Sequence, residues 1–210
     1  EGRERRSTMV APYRGESVSF HCEDGITLIN SADGKTHSAR RPPEAEIEAI
    51  KEALELIERY HLHGTICHCS TGKGMELISA ARAKGVDVKV ELSPNHLYFN
   101  QERVRDGHNY QMNPPIRDRL QQEMLLAALK RGEVDYLATD HAPHTGEEKG
   151  RGVSGLTGLD TYGPFACWLI KEHGVSPSEI CRICSYNPGK FLNQYIPTLE
   201  LLNESCCNKK

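Results

Sequence analysis

The sequence predicts an α/β chain of parallel strands joined by crossover helices, and three observations predict it. Short apolar runs that alternate in steps of two take turns with longer stretches of helical periodicity. The strand–helix order recurs four times, which suits parallel pairing and amounts either to half of an eight-fold β/α barrel or to a small open sheet. Finally, each strand run ends on a polar group able to hold a ligand: His21, His68, Asn95 with His96, and Asp140. In parallel β/α folds such groups gather at the carboxyl ends of the strands.

The elements follow in order. The first ten residues mix acids and bases and offer little structure. "ESVSFH" (16–21) alternates and ends on His21, and the stretch 23–43, rich in Gly, Ser, Asp and Pro, reads as loop. A helix begins at Pro43, with Glu44, Glu46 and Glu48 favouring its positive end and Ile47, Ile50, Leu54 and Ile57 along one face. "HGTICH" (63–68) is the second strand. Gly72 and Gly74 open the next helix, with Met75, Ile78 and Ala81 inward and Gly85 as its stop. "VDVKVEL" (86–92) is the third strand. The polar, proline-bearing stretch after it is too long for a simple connection. A helix over about 118–131 has Leu120, Met124 and Leu129 as buried candidates; "EVDYLATD" (133–140) is the fourth strand. A glycine-rich loop, 145–158, leads to helical segments at about 160–172 and 176–185 and a further one from Asn187.

Bulk properties exclude several classes. With 210 residues, 38% apolar and 26% charged, the chain can bury one good-sized core. A net charge of -3 argues against a nucleic-acid partner. No apolar run has the length of a membrane span, and the charged start is not a signal peptide. The eight cysteines are not placed as a disulfide scaffold: Cys67 and Cys69 fall in or beside an apolar strand, Cys167 lies in an apolar helix, and Cys181 with Cys184 reads as one apolar helix face, which suits a reducing, cytoplasmic setting.

Two imidazoles and a carboxylate suit zinc or a similar divalent ion. Such an ion brings the pKa of a bound water towards neutrality, and a nearby carboxylate could take the proton. The bland reading is that a lone strand-end histidine is a satisfied polar residue. His37, His61, His63, His108 and His173 are read that way. His21, His68 and Asp140 gain weight only by recurring at equivalent places.

Several motifs carry a family resemblance: "HCED" (21–24), "CHCSTGKGMELISAARAKG" (67–85), "ELSPNHLYF" (91–99), "MNPPIRD" (112–118), "ATDHAPHTGEEKG" (138–150) and "GLTGLDT" (155–161). Together they resemble dihydroorotase and, more broadly, the cyclic-amidase branch of the amidohydrolase superfamily. The resemblance implies strands 5–8 of a metal-dependent (β/α)8 barrel with one or two Zn2+ ions in the full-length parent. It implies His21, His68 and Asp140 as metal ligands, Asp140 also as catalytic acid/base, and Asn113, His144 and Gly158 as substrate-binding residues. The implied reaction is reversible closure of N-carbamoyl-L-aspartate to L-dihydroorotate in pyrimidine synthesis. Allantoinase, a dihydropyrimidinase or hydantoinase, and a non-catalytic scaffold are the alternatives.

Some family features are absent. The first-strand H-x-H pair, the arginine after it and the bridging lysine would all lie before residue 1. Asn95-His96 stands where many relatives have two histidines. The expectation is therefore a carboxyl-terminal half-barrel over 1–192, a polar tail over 193–210, and a chain cut at both ends with little activity alone. Its open sheet is expected to expose strand edges and an apolar inward face. Expected partners are the small-molecule substrate, a second copy of the chain or aspartate transcarbamoylase.

Overall fold

The computed structural model describes residues 2–104 and 108–192. The tail expected over 193–210 lies outside the described residues. Four strands form one parallel sheet in chain order: β1 (Ser17–Phe20), β2 (His63–Ile66), β3 (Val88–Leu92) and β4 (Tyr136–Leu137). Register pairs Val18 with Gly64, Gly64 with Val88, and Leu92 with Leu137. An open doubly wound sheet reverses its strand order at a switch point, whereas sequential order is that of a barrel wall. The chain is thus an arc of a barrel.

Three long helices cover one face: α1 (Pro43–Tyr60), α2 (Gly72–Ala83) and α3 (Arg119–Lys130). Ile50, Ile57, Met75, Ile78, Leu125 and Leu129 pack there against Ile66, Val88, Val90 and Leu92. Each helix starts where the sequence supplies an unpaired N–H with a partner or removes it. Pro43 opens α1, Thr71 caps α2 through Gly74, and Asp118 caps α3 through Gln121. His61, at φ 49, ends α1 in the left-handed conformation. At 62% exposure Leu120 is not a core residue; Leu125 and Ala128 fill the positions facing the sheet.

The other face of the sheet differs from expectation. The residues pointing away from the helices are Ser17, Ser19, His63, Thr65, Lys89 and Glu91, so the concave side is polar. Alternation places the valines, isoleucine and leucines of these strands on the helix side, because that side offers an apolar layer.

The loops also hold more structure than their composition predicts. Residues 23–43 contain the short helices Gly25–Asn30 and His37–Arg40, capped by Asp24 and Thr36. Residues 2–10 form a helix held to α1 by Arg6 on Glu52, at 2.6 and 2.7 Å, and by Ser7 on Tyr60. Local sequence could not show this, since the stabilising acid lies 46 residues away.

Gly64 sets the approach of α1 to the sheet. A Cβ there would stand 2.2 Å from Ile57 Cδ1 and 2.5 Å from its Cγ1, on a stiff, fully buried side chain. Gly64→Ala is expected to destabilise the fold by about 1–3 kcal/mol, measured by urea unfolding of the purified chain.

Candidate functional site

Parallel pairing brings the ends of β1 and β2 to the same edge, and there two histidines meet. His21 Nδ1 lies 3.0 Å from His68 Nε2, with ring centroids 4.8 Å apart and nearly edge-on. His21 is half exposed; His68 is 8% exposed. Burial, with His21 nearby, pushes the His68 pKa down to about 4, so His68 is neutral at neutral pH. Its Nδ1 is buried without a hydrogen-bond partner.

Asp140 follows β4 on the same rim. Burial holds its carboxyl above the usual carboxylate range, partly offset by His21, whose field reaches it. Both His68 (φ 35) and Asp140 (φ 49) adopt the left-handed backbone region. That conformation costs roughly 1–3 kcal/mol at a non-glycine residue and is concentrated at functional sites. Glu91 supports it at His68: its Oε1 accepts the His68 backbone N–H at 3.1 Å.

The substrate-binding candidates occupy the adjoining loops. Asn113 Oδ1 accepts from His37 Nε2 at 3.0 Å, and the same nitrogen reaches the Met112 carbonyl at 2.9 Å. His37, read as an ordinary structural histidine, therefore holds the side chain of Asn113. His144 Nδ1 is 3.7 Å from Glu148 Oε2, and its ring lies against Gly155. Gly158 donates its N–H to His141 Nδ1 at 3.1 Å. Lys149 ties these loops together, donating to the carbonyls of Gln111, Val153 and Gly155 at 2.9–3.0 Å.

The third strand's pair divides its labour. His96 is 2% exposed and spans Ser93 Oγ and the Pro114 carbonyl, each at 3.0 Å. Burial pushes its pKa down to about 3. It supports the 112–117 loop from below. Asn95 lines a cavity of about 520 Å³ walled by Tyr98, Phe99, Phe165 and Trp168.

Behind the histidines runs a buried ionic cluster that sequence reading missed. His21 Nε2 meets Glu23 Oε2 at 3.0 Å, and Arg41 pairs with the same oxygen. The Arg41 carbonyl accepts from Arg117 Nη1 at 2.6 Å, and Arg117 Nε donates to Ser70 Oγ at 2.9 Å. The Ser70 N–H donates to Glu46 Oε1 at 2.8 Å. Glu46, expected to serve the helix dipole, is buried at 1% exposure instead. Glu23 and Arg117 lie inside the quoted motifs, but no spacing rule marks them.

The donor set fits part of a metal centre. Two imidazole nitrogens converge, one of them on a ring neutral at neutral pH, with an acid on the same rim. Among the described residues no group of three or more His, Cys, Asp or Glu side chains converges closely enough to hold an ion.

No family model matches the chain. It is 39% identical over 197 residues to a dihydroorotase of Geobacillus thermodenitrificans, covering 88% of this chain and 46% of that protein. With a dihydroorotase of Clostridium botulinum it shares 35% over 179 residues, 84% of this chain and 44% of the relative. Among solved structures, an L-hydantoinase (dihydropyrimidinase) from Arthrobacter aurescens superposes with a TM-score of 0.81 at 25% identity, over 91% of this chain and 47% of that one. The chain spans about half the length of the relatives it matches. A helix-backed parallel arc with histidines meeting at its strand exits is a partial barrel of the amidohydrolase class. Within that class, the chain is a relative of the dihydroorotases.

The buried histidines set a pH dependence. In His68 and His96 the folded pKa lies below the unfolded 6.5, so the unfolded chain binds protons first as pH falls. Their contribution to stability is complete above pH 6.5 and is lost as pH drops towards 4 and then 3. Urea midpoints across this window are expected to fall, by at most about 1.4 kcal/mol per pH unit per histidine; His96→Gln should flatten the slope.

Proposed function

We propose that this chain supplies the strand-exit face of a metal-dependent cyclic-amide hydrolase whose reaction is the reversible interconversion of L-dihydroorotate and N-carbamoyl-L-aspartate. What supports the reading most is the meeting of His21 Nδ1 and His68 Nε2 at 3.0 Å on the rim that also carries Asp140. Similarity to dihydroorotases supplies the substrate class.

In this proposal His21, His68 and Asp140 hold the ion or ions, taken as zinc. When bound, the metal supplies Lewis acidity towards an amide carbonyl and a water molecule. Asp140 accepts, at a carboxylate oxygen, a proton from the water that adds to the ring amide carbonyl. It returns that proton to the nitrogen as the ring C–N bond breaks, and the closure direction runs the same transfers backwards. A carboxylate at a strand exit can serve both halves of this exchange, accepting the proton in one and donating it in the other. Asn113 and His144 bind polar edges of the substrate, on loops held in place by His37 and Lys149. Gly158 offers its backbone to the ring once its N–H leaves His141.

Similarity to hydantoinase and dihydropyrimidinase structures favours a second reading, a hydrolase of related five- or six-membered cyclic amides. Among the described residues no helix is long and apolar enough to cross a membrane. Cys22 and Cys69 are buried free thiols, which accords with a reducing, cytoplasmic setting. A second copy or an aspartate transcarbamoylase is the macromolecular partner proposed on the resemblance.

Assays of the full-length gene product on dihydroorotate, dihydrouracil and hydantoin separate the two readings, with dihydroorotate expected to turn over fastest. In that protein Asp140→Asn should lower kcat by roughly 10²–10⁴-fold. The 210-residue chain alone, supplied with zinc, is expected to show little or no turnover; robust hydrolysis would refute a divided site.

A further inference from the structure

We infer that Glu23 is a positioning residue: its buried carboxylate fixes the proton of His21 on Nε2 and so presents the Nδ1 lone pair to the space shared with His68. The orientation of the ring stands on geometry alone; its use in holding a metal rests on the function proposed above.

His21 needs such a device. It follows β1 on a loop, with half of its side chain in solvent, so little packing restrains its ring. Two contacts fix it, His68 Nε2 on one nitrogen and Glu23 Oε2 on the other, each at 3.0 Å. Glu23 cannot swing aside, because its side chain is 2% exposed and the same oxygen is clamped by Arg41. Arg41 is held in turn, its carbonyl bonded to the buried Arg117. The acceptor is therefore rigid, anchored through Arg117 to Ser70 in the loop that follows His68.

The proton assignment follows from chemistry. An ionised carboxylate only accepts hydrogen bonds, so the facing ring nitrogen carries a hydrogen. A neutral imidazole has one such hydrogen, which leaves Nδ1 with its lone pair. Burying a carboxylate is costly unless it is paired and hydrogen-bonded. Glu23 Oε1 has no partner, so Arg41 and His21 on Oε2 carry the whole compensation. His68 is arranged differently. Its Nδ1 is buried without a partner, so no carboxylate or carbonyl backs this ring from behind. One imidazole is preset by Glu23, and the other then carries its hydrogen on Nε2, donating it to His21 Nδ1 at 3.0 Å until an ion displaces it. Carboxylates that orient a metal-binding histidine in this way typically affect metal affinity by 10–100-fold.

The test uses the 210-residue chain labelled with 15N-histidine. Long-range 1H–15N correlation spectra at neutral pH, with chelator present, should show His21 in the Nε2–H form. In Glu23→Ala and Glu23→Gln the preference should collapse to a mixture. Zinc titration against a chromophoric chelator should show roughly 10–100-fold weaker binding in both variants. A wild-type His21 with its proton on Nδ1 overturns the inference without any variant having to fold, and so does a tautomer that ignores Glu23. A chain that binds no zinc yet shows the Glu23-dependent tautomer upholds the positioning role and counts against the metal reading instead.

Discussion

Parallel hydrogen bonding between neighbours in chain order is the constraint on which the rest of the molecule depends. Because β1 to β4 run the same way, every strand finishes at the same edge, and residues separated by 47 positions in sequence come to share a hydrogen bond. Antiparallel pairing would send His21 and His68 to opposite ends. The apolar helices α1 to α3 enforce this arrangement from one side, since each must bury its stripe of isoleucine, leucine and methionine against the same sheet face. The rim is a by-product of that packing: its residues lie beyond the last ladder bond, where side chains no longer have a core to fill.

A second, polar layer of organisation sits immediately beneath the rim. Glu23, Arg41, Arg117, Ser70 and Glu46 link three loops that backbone pairing leaves independent. Burial pushes the carboxyl of Glu46 up and the guanidinium of Arg117 down, while each pulls the other back towards its charged form. Removing one member of such a cluster is costly, because it leaves the others buried without a partner. Arg117 is the member shared by all three loops, and it closes the segment that carries Asn113.

Much of this was legible in the sequence. Helices α1, α2 and α3 are legible because their apolar period and their proline or polar starts agree with one another, and glycines after α2 and α3 mark where those two stop. All four strands are legible, though β4 keeps only Tyr136–Leu137 of an eight-residue run. His21, His68 and Asp140 stood out by recurring at strand exits. What stayed hidden was long-range. The helix over 2–10 depends on Glu52, the orientation of His21 on Glu23 and Arg41, and that of Asn113 on His37. An apolar concave face was expected from the idea of a filled barrel, and the strands place serine, threonine, lysine and glutamate there. That pattern was readable from the alternation in "VDVKVEL", had the solvent side been taken at face value.

The triplet "EEK" at 147–149 looks like ordinary surface charge. Its lysine nevertheless directs an ammonium group at the peptide oxygens of Gln111, Val153 and Gly155, three points that no flat cationic group could reach together. Arginine in its place would keep the charge and lose the tripod. The ammonium nitrogen at the tip of one side chain thus works as a rivet between two stretches of backbone some forty positions apart, one running into Asn113 and the other lying against His144.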